Sequence, residues 1–194
     1  MLVENLIRQN FIESIEAKEK AQQCLIEPIK GAATLLVTTF NTNNKLLICG
    51  NGGSASDSQH FAAEFTGRYE MERRPLPAIA LTTDTSALTA IGNDYSFEVV
   101  YSKQVETLGN SGDILLAIST SGNSTNVIKA IEVAHLKGMK VIALTGKNGG
   151  KIQSILKNGD INICAPVNRT ARIQEIHILV LHTLCDVVDN LMFK

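Results

Sequence analysis

Three side chains of this sequence could move protons or bind a metal: His60, Glu64 and His182. His60 and Glu64 are four residues apart on a predicted helix, so their side chains lie on one face of it. Gln174 and His182 are eight residues apart on the last predicted helix, about 80° apart around its axis. The pair of His60 and Glu64 could bind a metal or transfer protons, and Gln174 and His182 could point into the same site. They could equally be a surface hydrogen bond and a buried core histidine.

A turn rich in hydroxyl groups could hold a phosphate. Its hydroxyls come from Ser119, Thr120, Ser121 and Ser124, grouped around one glycine directly before a predicted helix. The positive N-terminal end of a helix favours an anion such as phosphate. A second turn, residues 50–57, contains three glycines, so its backbone could approach a ligand closely. Ligands of parallel sheets collect beyond the carboxyl ends of the strands, and we expect both turns there.

Together these features suit the abstraction of a proton next to a carbonyl group. The phosphate would fix the substrate, while a glutamate and two histidines supply a base and an acid. We assign structural roles to His135 and His177, which have no such neighbours. Asn93 and Asp94 could bind sugar hydroxyls, although their spacing favours turn residues.

The sequence lacks the signatures of nucleotide sites and of nucleic-acid binding. Neither turn ends in the Gly-Lys-Ser/Thr of a P-loop, and neither has the G-x-G-x-x-G pattern of dinucleotide folds. We therefore expect no nucleotide cofactor. The formal net charge is −1 and the Lys and Arg residues are scattered, so no basic stripe is available for nucleic acid.

Short apolar runs that alternate with helices predict the fold that positions these turns. The predicted strands are residues 45–49, 77–81, 113–119, 139–145 and 160–164. Their nearly continuous hydrophobicity predicts an α/β fold, a doubly wound five-stranded parallel sheet with helices on both faces. Residues 1–43 predict an N-terminal helical extension of two helices separated at Pro28, before an α/β sandwich over 44–194. We expect one domain over 1–194.

The last predicted helix, residues 170–192, is apolar nearly all round, which exceeds the single apolar stripe of a surface helix. This pattern indicates either an oligomer interface or a central buried helix of a monomer, and both interpretations stay open.

Composition indicates a globular cytoplasmic protein. Hydrophobic residues make up 44% and charged residues 19% of the 194 residues, close to the globular average. The four cysteines are far apart without CxxC spacing, which suits a reducing compartment. The N-terminus lacks the pattern of a signal peptide, and the longest apolar runs are far below the roughly 20 residues of a membrane span. We therefore expect no export and no membrane partner.

Six segments closely resemble the sedoheptulose 7-phosphate isomerases, also called phosphoheptose isomerases, a branch of the sugar isomerase (SIS) family. They are Cys-Gly-Asn-Gly-Gly-Ser (49–54), His-Phe-Ala-Ala-Glu-Phe-Thr-Gly-Arg-Tyr (60–69), Gly-Asn-Asp (92–94), Ser-Thr-Ser-Gly-Asn-Ser (119–124), Leu-Thr-Gly-Lys (144–147) and Arg-Ile-Gln-Glu-Ile-His (172–177). The resemblance spans essentially the whole chain. It implies the flavodoxin-like SIS fold and a homotetramer with active sites at subunit interfaces.

The resemblance also implies the reaction and the residues that perform it. The family converts sedoheptulose 7-phosphate to D-glycero-D-manno-heptose 7-phosphate, toward lipopolysaccharide or capsule. Glu64 matches the base that moves a proton between C1 and C2, and His182 matches its acid/base partner. In zinc-binding members the matching ligands are His60, Glu64, Gln174 and His182. Substrate contacts would fall on Asn51, Gly52, Gly53, Ser54, Glu64, Asn93, Asp94, Ser119, Thr120, Ser121, Ser124 and Gln174.

One position departs from the family pattern. Some relatives have Asp three positions before the matching glutamine, where this chain has Ala171, so acid/base assistance from that position is in doubt. The alternative function is a non-catalytic SIS scaffold that associates with the replication initiator. The presence of Glu64, Gln174 and His182 together favours the enzyme, because a scaffold needs no matched acid and base. A phosphosugar-sensing regulator is a third possibility, but no separate nucleic-acid-binding module is present.

Overall fold

The computed structural model describes residues 2–194 and consists of a parallel sheet surrounded by helices. The helices are α1 Leu2–Asn41, α2 Gly53–Thr66, α3 Thr85–Asp94, α4 Val100–Leu108, α5 Thr125–Leu136, α6 Gly150–Ile155 and α7 Thr170–Phe193. The strands are β1 Leu46–Gly50, β2 Ala78–Ala80, β3 Ile114–Ser119, β4 Lys140–Thr145 and β5 Ile161–Cys164. Short 3₁₀ turns, Phe97–Val99 and Lys147–Gly149, precede α4 and α6.

The five strands form one sheet in the order β2-β1-β3-β4-β5, and every neighbouring pair is parallel. This confirms the predicted doubly wound α/β fold. The order reverses between β1 and β3, where Leu46 pairs with Ile114 and Gly50 with Ile118. The crevice of such a sheet opens at this reversal, beyond the carboxyl ends of the strands. Both turns predicted from the sequence therefore flank one crevice.

Alternate residues of the three central strands, β1, β3 and β4, enter two separate cores. Leu46 and Ile48 of β1 belong to a cluster with residues of α1, α2 and α7. Leu47 and Cys49 face the other way, into a cluster with residues of α4, α5 and α6. Side chains of a strand alternate between faces, so a strand buried on both faces must be apolar at every position. This explains the continuous apolar runs of the sequence.

The N-terminal extension is one helix of 40 residues, so the prediction of two helices separated at Pro28 was wrong. A proline inside a helix removes one backbone hydrogen bond and disfavours the preceding turn. However, Leu25 before it and Ala32, Ala33 and Leu36 after it are all buried in the same core. Packing of one continuous face on both sides of Pro28 therefore outweighs the local cost.

The segment Thr85–Asp94 is a helix, α3, that the sequence did not predict. Its N-cap is Asp84, whose carboxylate accepts a hydrogen bond from the backbone N–H of Ala87 at 2.9 Å. The interpretation of Asn93 and Asp94 as turn residues was therefore wrong, since both are the last residues of this helix.

The last helix, α7, packs inside the protomer. It is long and apolar enough, by length and composition alone, to cross a membrane, which the apolar runs of the sequence had not indicated. Its buried residues, among them Ile173, Val180 and Leu184, instead join the core that contains α1 and α2. Leu179 remains 44% exposed. The helix is thus a core element that leaves Leu179 and Leu191 exposed on its surface.

Candidate active site

The turn between β3 and α5 presents its hydroxyl groups at the carboxyl edge of the sheet. The Oγ atoms of Ser119 and Ser124 lie 2.9 Å apart. Ser124 is the N-cap of α5, yet its side chain makes no capping hydrogen bond. Thr120 and Ser121 between them are partly exposed. The hydroxyls therefore lie at a helix N-terminus, where an anion is stabilised by the helix dipole.

This hydroxyl turn, residues 119–124, packs against and is hydrogen-bonded to residues 149–152, which follow β4. Gly122 has φ 65°, and a Cβ built on it would overlap the carbonyl oxygen of Gly149. The carbonyl of Gly122 accepts a hydrogen bond from the N–H of Ile152 at 2.9 Å, and Asn123 Oδ1 accepts one from the N–H of Lys151 at 3.0 Å. Only glycine satisfies both the positive φ and the close approach.

A reciprocal amide pair joins the turn after β1 to the first turn of α5. Asn51 Nδ2 donates to Asn126 Oδ1 at 2.8 Å, and Asn126 Nδ2 donates to Asn51 Oδ1 at 2.9 Å. The hydroxyl of Tyr101 donates to the carbonyl of Gly50 at 2.6 Å, and burial raises the pKa of this tyrosine. The side chain of Asn51 is therefore already engaged within the protein, and its predicted contact with substrate stays a prediction.

Sequence analysis missed both partners of Asn51, which are Asn126 and Tyr101, whose hydroxyl also donates to Asn51 Oδ1 at 3.3 Å. Asn126 follows the hydroxyl turn by two residues, and an asparagine in the first turn of a helix is a signal that could have been noticed. Tyr101 lies in α4, 51 residues from its acceptor Gly50, and no local pattern indicates that contact.

The structure brings His60, Glu64 and His182 together across α2 and α7. The Nε2 atoms of His60 and His182 lie 2.8 Å apart, so one imidazole donates and the other accepts. Glu64 Oε1 lies 3.5 Å from the same His60 nitrogen. The side chains of His60 and Glu64 are 43% and 20% exposed, so the group is open to a ligand. The ring of Tyr69 stacks on His182 with centroids 5.8 Å apart, a contact that sequence analysis did not predict.

Gln174, near the start of α7, lies apart from this group and packs against the first residue of α2. Its Nε2 occupies the space that a Cβ on Gly53 would need. Eight residues separate Gln174 from His182, which corresponds to about 12 Å along α7. The four predicted zinc ligands are therefore divided between two places in the protomer.

The side-chain types of His60, Glu64 and His182 fit zinc, which binds imidazole nitrogen and carboxylate oxygen. Their arrangement is that of a hydrogen-bonded pair with a nearby carboxylate. Within residues 2–194, no group of three or more His, Cys, Asp or Glu side chains has the geometry of a metal site. The donor set is chemically suitable, and its geometry in the protomer is that of an acid/base cluster.

Asn93 and Asp94 are exposed at the end of α3, and Asn93 Nδ2 donates to Asp94 Oδ1 at 2.9 Å. Across the described chain, from residue 2 onward, no hydrogen bond joins either of them to the hydroxyl turn or to the histidine cluster. Ser54 is buried, whereas Gly52 and Gly53 are exposed, and Gly53 lies beside Gln174. The predicted substrate contacts thus form one group at the edge of the sheet and a second group at α3, while Glu64 lies in the acid/base cluster.

A family model and curated relatives both match most of this chain. The SIS domain family matches residues 10–146. The phosphoheptose isomerase of Neisseria meningitidis serogroup C is 56% identical over 188 residues, which cover 97% of this chain and 95% of that protein.

Two solved structures also match. A phosphoheptose isomerase from Neisseria gonorrhoeae has a TM-score of 0.93 and 54% identity, covering 97% of this chain and 99% of that one. A phosphoheptose isomerase from Francisella tularensis has a TM-score of 0.95 and 45% identity, covering 98% and 100%.

Proposed function

Since this chain belongs to the phosphoheptose isomerases, a branch of the SIS-domain family, we propose that it converts sedoheptulose 7-phosphate to D-glycero-D-manno-heptose 7-phosphate in heptose biosynthesis. The observation that carries the catalytic assignment is the meeting of His60, Glu64 and His182 at 2.8 and 3.5 Å across two helices. The relatives that match at 45–56% identity are phosphoheptose isomerases, and none of these findings favours the scaffold alternative.

The reaction moves one proton between neighbouring carbons. Glu64 removes a proton from C1 of the open-chain ketose, giving an enediol, and returns a proton to C2, which becomes a CHOH group. His182 transfers protons at the two oxygens, so that the C2 carbonyl becomes a hydroxyl and the C1 hydroxyl becomes an aldehyde. The hydroxyl turn holds the 7-phosphate, which fixes the distance between the reacting carbons and the base.

A neighbouring copy of the chain completes the site in our proposal. Gln174 and the acid/base cluster are about 12 Å apart along α7, and Asn93 and Asp94 face outward. The N-terminal half of α1 exposes an apolar strip, and α3 leads into exposed aromatic residues. The strip on α1 consists of Leu2, Val3, Leu6, Ile7, Phe11, Ile12 and Ile15, and the exposed aromatic residues after α3 are Tyr95 and Phe97. Such a surface favours association, and the family resemblance implies a homotetramer with interfacial sites.

Zinc is the cofactor that we propose for the cluster, with His60, Glu64 and His182 as ligands. In the protomer the two imidazoles are hydrogen-bonded to each other, so both side chains would have to turn to bind the metal. The metal would polarise the substrate carbonyl or fix the geometry of the site. Gln174, the fourth predicted ligand, lies apart from this set in the protomer. Metal analysis of protein purified without chelator, followed by zinc removal and readdition with turnover measured at each stage, tests this assignment.

We also propose that the enzyme is cytoplasmic, which its cysteines support. Cys24, Cys49, Cys164 and Cys185 are all free thiols. Burial raises the pKa of the Cys49 thiol to about 12, so this cysteine stays protonated and unreactive.

The experiment that tests the function is incubation of the purified protein with sedoheptulose 7-phosphate in deuterated water. Formation of the aldose with deuterium at C2 supports the enediol route through Glu64. Product without deuterium indicates a hydride shift or a shielded proton, and absence of product contradicts the proposed function. Mixing inactive Glu64 and Ser121 variants then tests the interfacial site, because activity returns only if the two residues act from different copies.

A further inference from the structure

Arg73 caps the end of the helix that carries Glu64. It follows α2 by seven residues, and its guanidinium folds back under the last turn of that helix. Nη2 donates to the carbonyl of Glu64 at 2.8 Å, and Nη1 donates to the carbonyls of Phe65 and Gly67 at 2.9 and 3.0 Å. Carbonyls at a helix C-terminus lack partners within the helix and attract positive charge. Arg73 thus satisfies the backbone on which Glu64 itself sits.

The same guanidinium reaches the helix that carries His182. Arg73 Nε donates to Asp189 Oδ1 at 2.9 Å, and the two side chains are only 1% and 4% exposed. Asp189 lies seven residues after His182 on α7, about two turns further along. One buried side chain therefore connects the end of α2 directly to α7.

We propose that the Arg73–Asp189 ion pair is a positioning device that holds Glu64 at its working distance from His182. The inference rests on the proposed isomerase function, in which these two side chains act on one substrate. The planar guanidinium bonds several carbonyls and a carboxylate at once, which the single ammonium of a lysine cannot reproduce. A displacement of about 1 Å between catalytic groups costs on the order of 100-fold in rate.

A buried ion pair is not by itself evidence of a stabilising role, because buried ion pairs often contribute no more than apolar residues of the same volume. The position of this pair is what indicates a positioning role. Its guanidinium lies between the end of α2 and α7, the two helices that carry Glu64 and His182.

The chain offers a control in a second ion pair, which has a buried carboxylate and a partly exposed lysine. Lys45 Nζ lies 2.6 Å from Asp113 Oδ2, and the Asp113 side chain is 1% exposed. Asp113 directly precedes β3, at the amino edge of the sheet, whereas the hydroxyl turn follows the same strand at its carboxyl edge. A substitution here disturbs this ion pair without touching either catalytic helix.

The test compares Arg73→Lys and Asp189→Asn with Asp113→Asn, measured well below the melting temperature of each variant. We expect all three to lower the melting temperature, by roughly 10 °C where the pair is lost. Only Arg73→Lys and Asp189→Asn should lower kcat, by about 10-fold or more, while KM and the affinity for a phosphosugar stay within about twofold of the parent. We expect kcat and KM to respond differently because the substitutions leave the hydroxyl turn, the proposed phosphate site, untouched.

Hydrogen exchange provides a readout that does not depend on activity. The amide of Gly67, bonded to the carbonyl of Ala63 at 2.8 Å, reports on the last turn of α2. We expect faster exchange there in Arg73→Lys than in Asp113→Asn of similar stability. Unchanged kcat and unchanged exchange in folded Arg73 and Asp189 variants of an active parent overturn the positioning role. A parent that exchanges normally but does not isomerise the sugar contradicts the proposed function instead.

Discussion

His60 and His182, which are 122 residues apart in the chain, meet with their Nε2 atoms 2.8 Å apart. His60 is also within 3.5 Å of Glu64, four residues further along α2. The contact joins the two helices that enclose the acid/base cluster. It makes His60 a link between the proposed base and its acid/base partner.

Replacing Glu64 with glutamine should abolish turnover and leave phosphosugar binding nearly intact. The substitution keeps the size of the side chain but removes the base, which costs about 100-fold to 10,000-fold in general base catalysis. Steady-state kinetics and calorimetric titration with a phosphosugar measure the two effects. Glu72→Gln is the matched control, because Glu72 is 90% exposed in an ion pair with Arg68. Comparable activity in Glu64→Gln would remove Glu64 from the mechanism.

Replacing Gly122 with alanine should weaken phosphate binding. The residue has φ 65°, and an added Cβ would overlap the carbonyl oxygen of Gly149, so the hydroxyl turn must move. We expect KM to rise at least tenfold and stability to fall by about 1–3 kcal/mol. Gly31→Ala in α1 is the control, since its Cβ would meet only the end of the Ile161 side chain at 3.3 Å. If Gly122→Ala binds a phosphosugar as tightly as the parent, the turn is not the phosphate site.

Replacing Asn126 with alanine should loosen the turn after β1. The change leaves Asn51 Nδ2 without its acceptor and removes the acceptor of the Val127 N–H, at about 1–3 kcal/mol of stability. A double-mutant cycle with Asn51→Ala, measured by urea unfolding, should give a coupling energy above about 0.5 kcal/mol. Strict additivity would show that the reciprocal amide pair contributes nothing.

His177 should make stability depend on pH. It is fully buried, its Nε2 donates to the carbonyl of Thr145 at 2.9 Å, and burial lowers the pKa of His177 to about 4. The unfolded chain binds a proton near pH 6.5, whereas the folded chain binds it only near pH 4. Stability is therefore complete above about pH 6.5 and falls by about 3 kcal/mol as the pH drops to 4.

Urea unfolding between pH 4 and pH 7 measures this dependence. In His177→Asn the part of the slope that comes from His177 should disappear, although the variant is less stable at neutral pH. A slope identical to that of the parent would show that His177 is not the titrating group. His135→Asn provides a comparison, because His135 is paired with Asp160 at 2.7 Å at the other edge of the sheet.

Much of the fold could be predicted from local sequence patterns. The apolar run at 113–119 and the observed strand Ile114–Ser119 differ by one residue at one end. Each of the other four predicted strands agrees with the observed strand within one residue at each end. Burial on both faces imposes continuous hydrophobicity on the central strands β1, β3 and β4, so the sequence must show it there. The exceptions are α1, where packing on both sides of Pro28 outweighed a local signal, and α3, which was interpreted as turn residues.

By itself the sequence determined which residues stand at the carboxyl edge of the sheet and that His60 and Glu64 share a helix face, because periods of two and 3.6 residues fix those relations within one element. Only the tertiary structure decided which helices pack together. That packing placed His182 beside His60, set Gln174 against Gly53 instead, and paired Asn51 with Asn126. Contacts between distant segments depend on how helices pack around the sheet, and no local period specifies them.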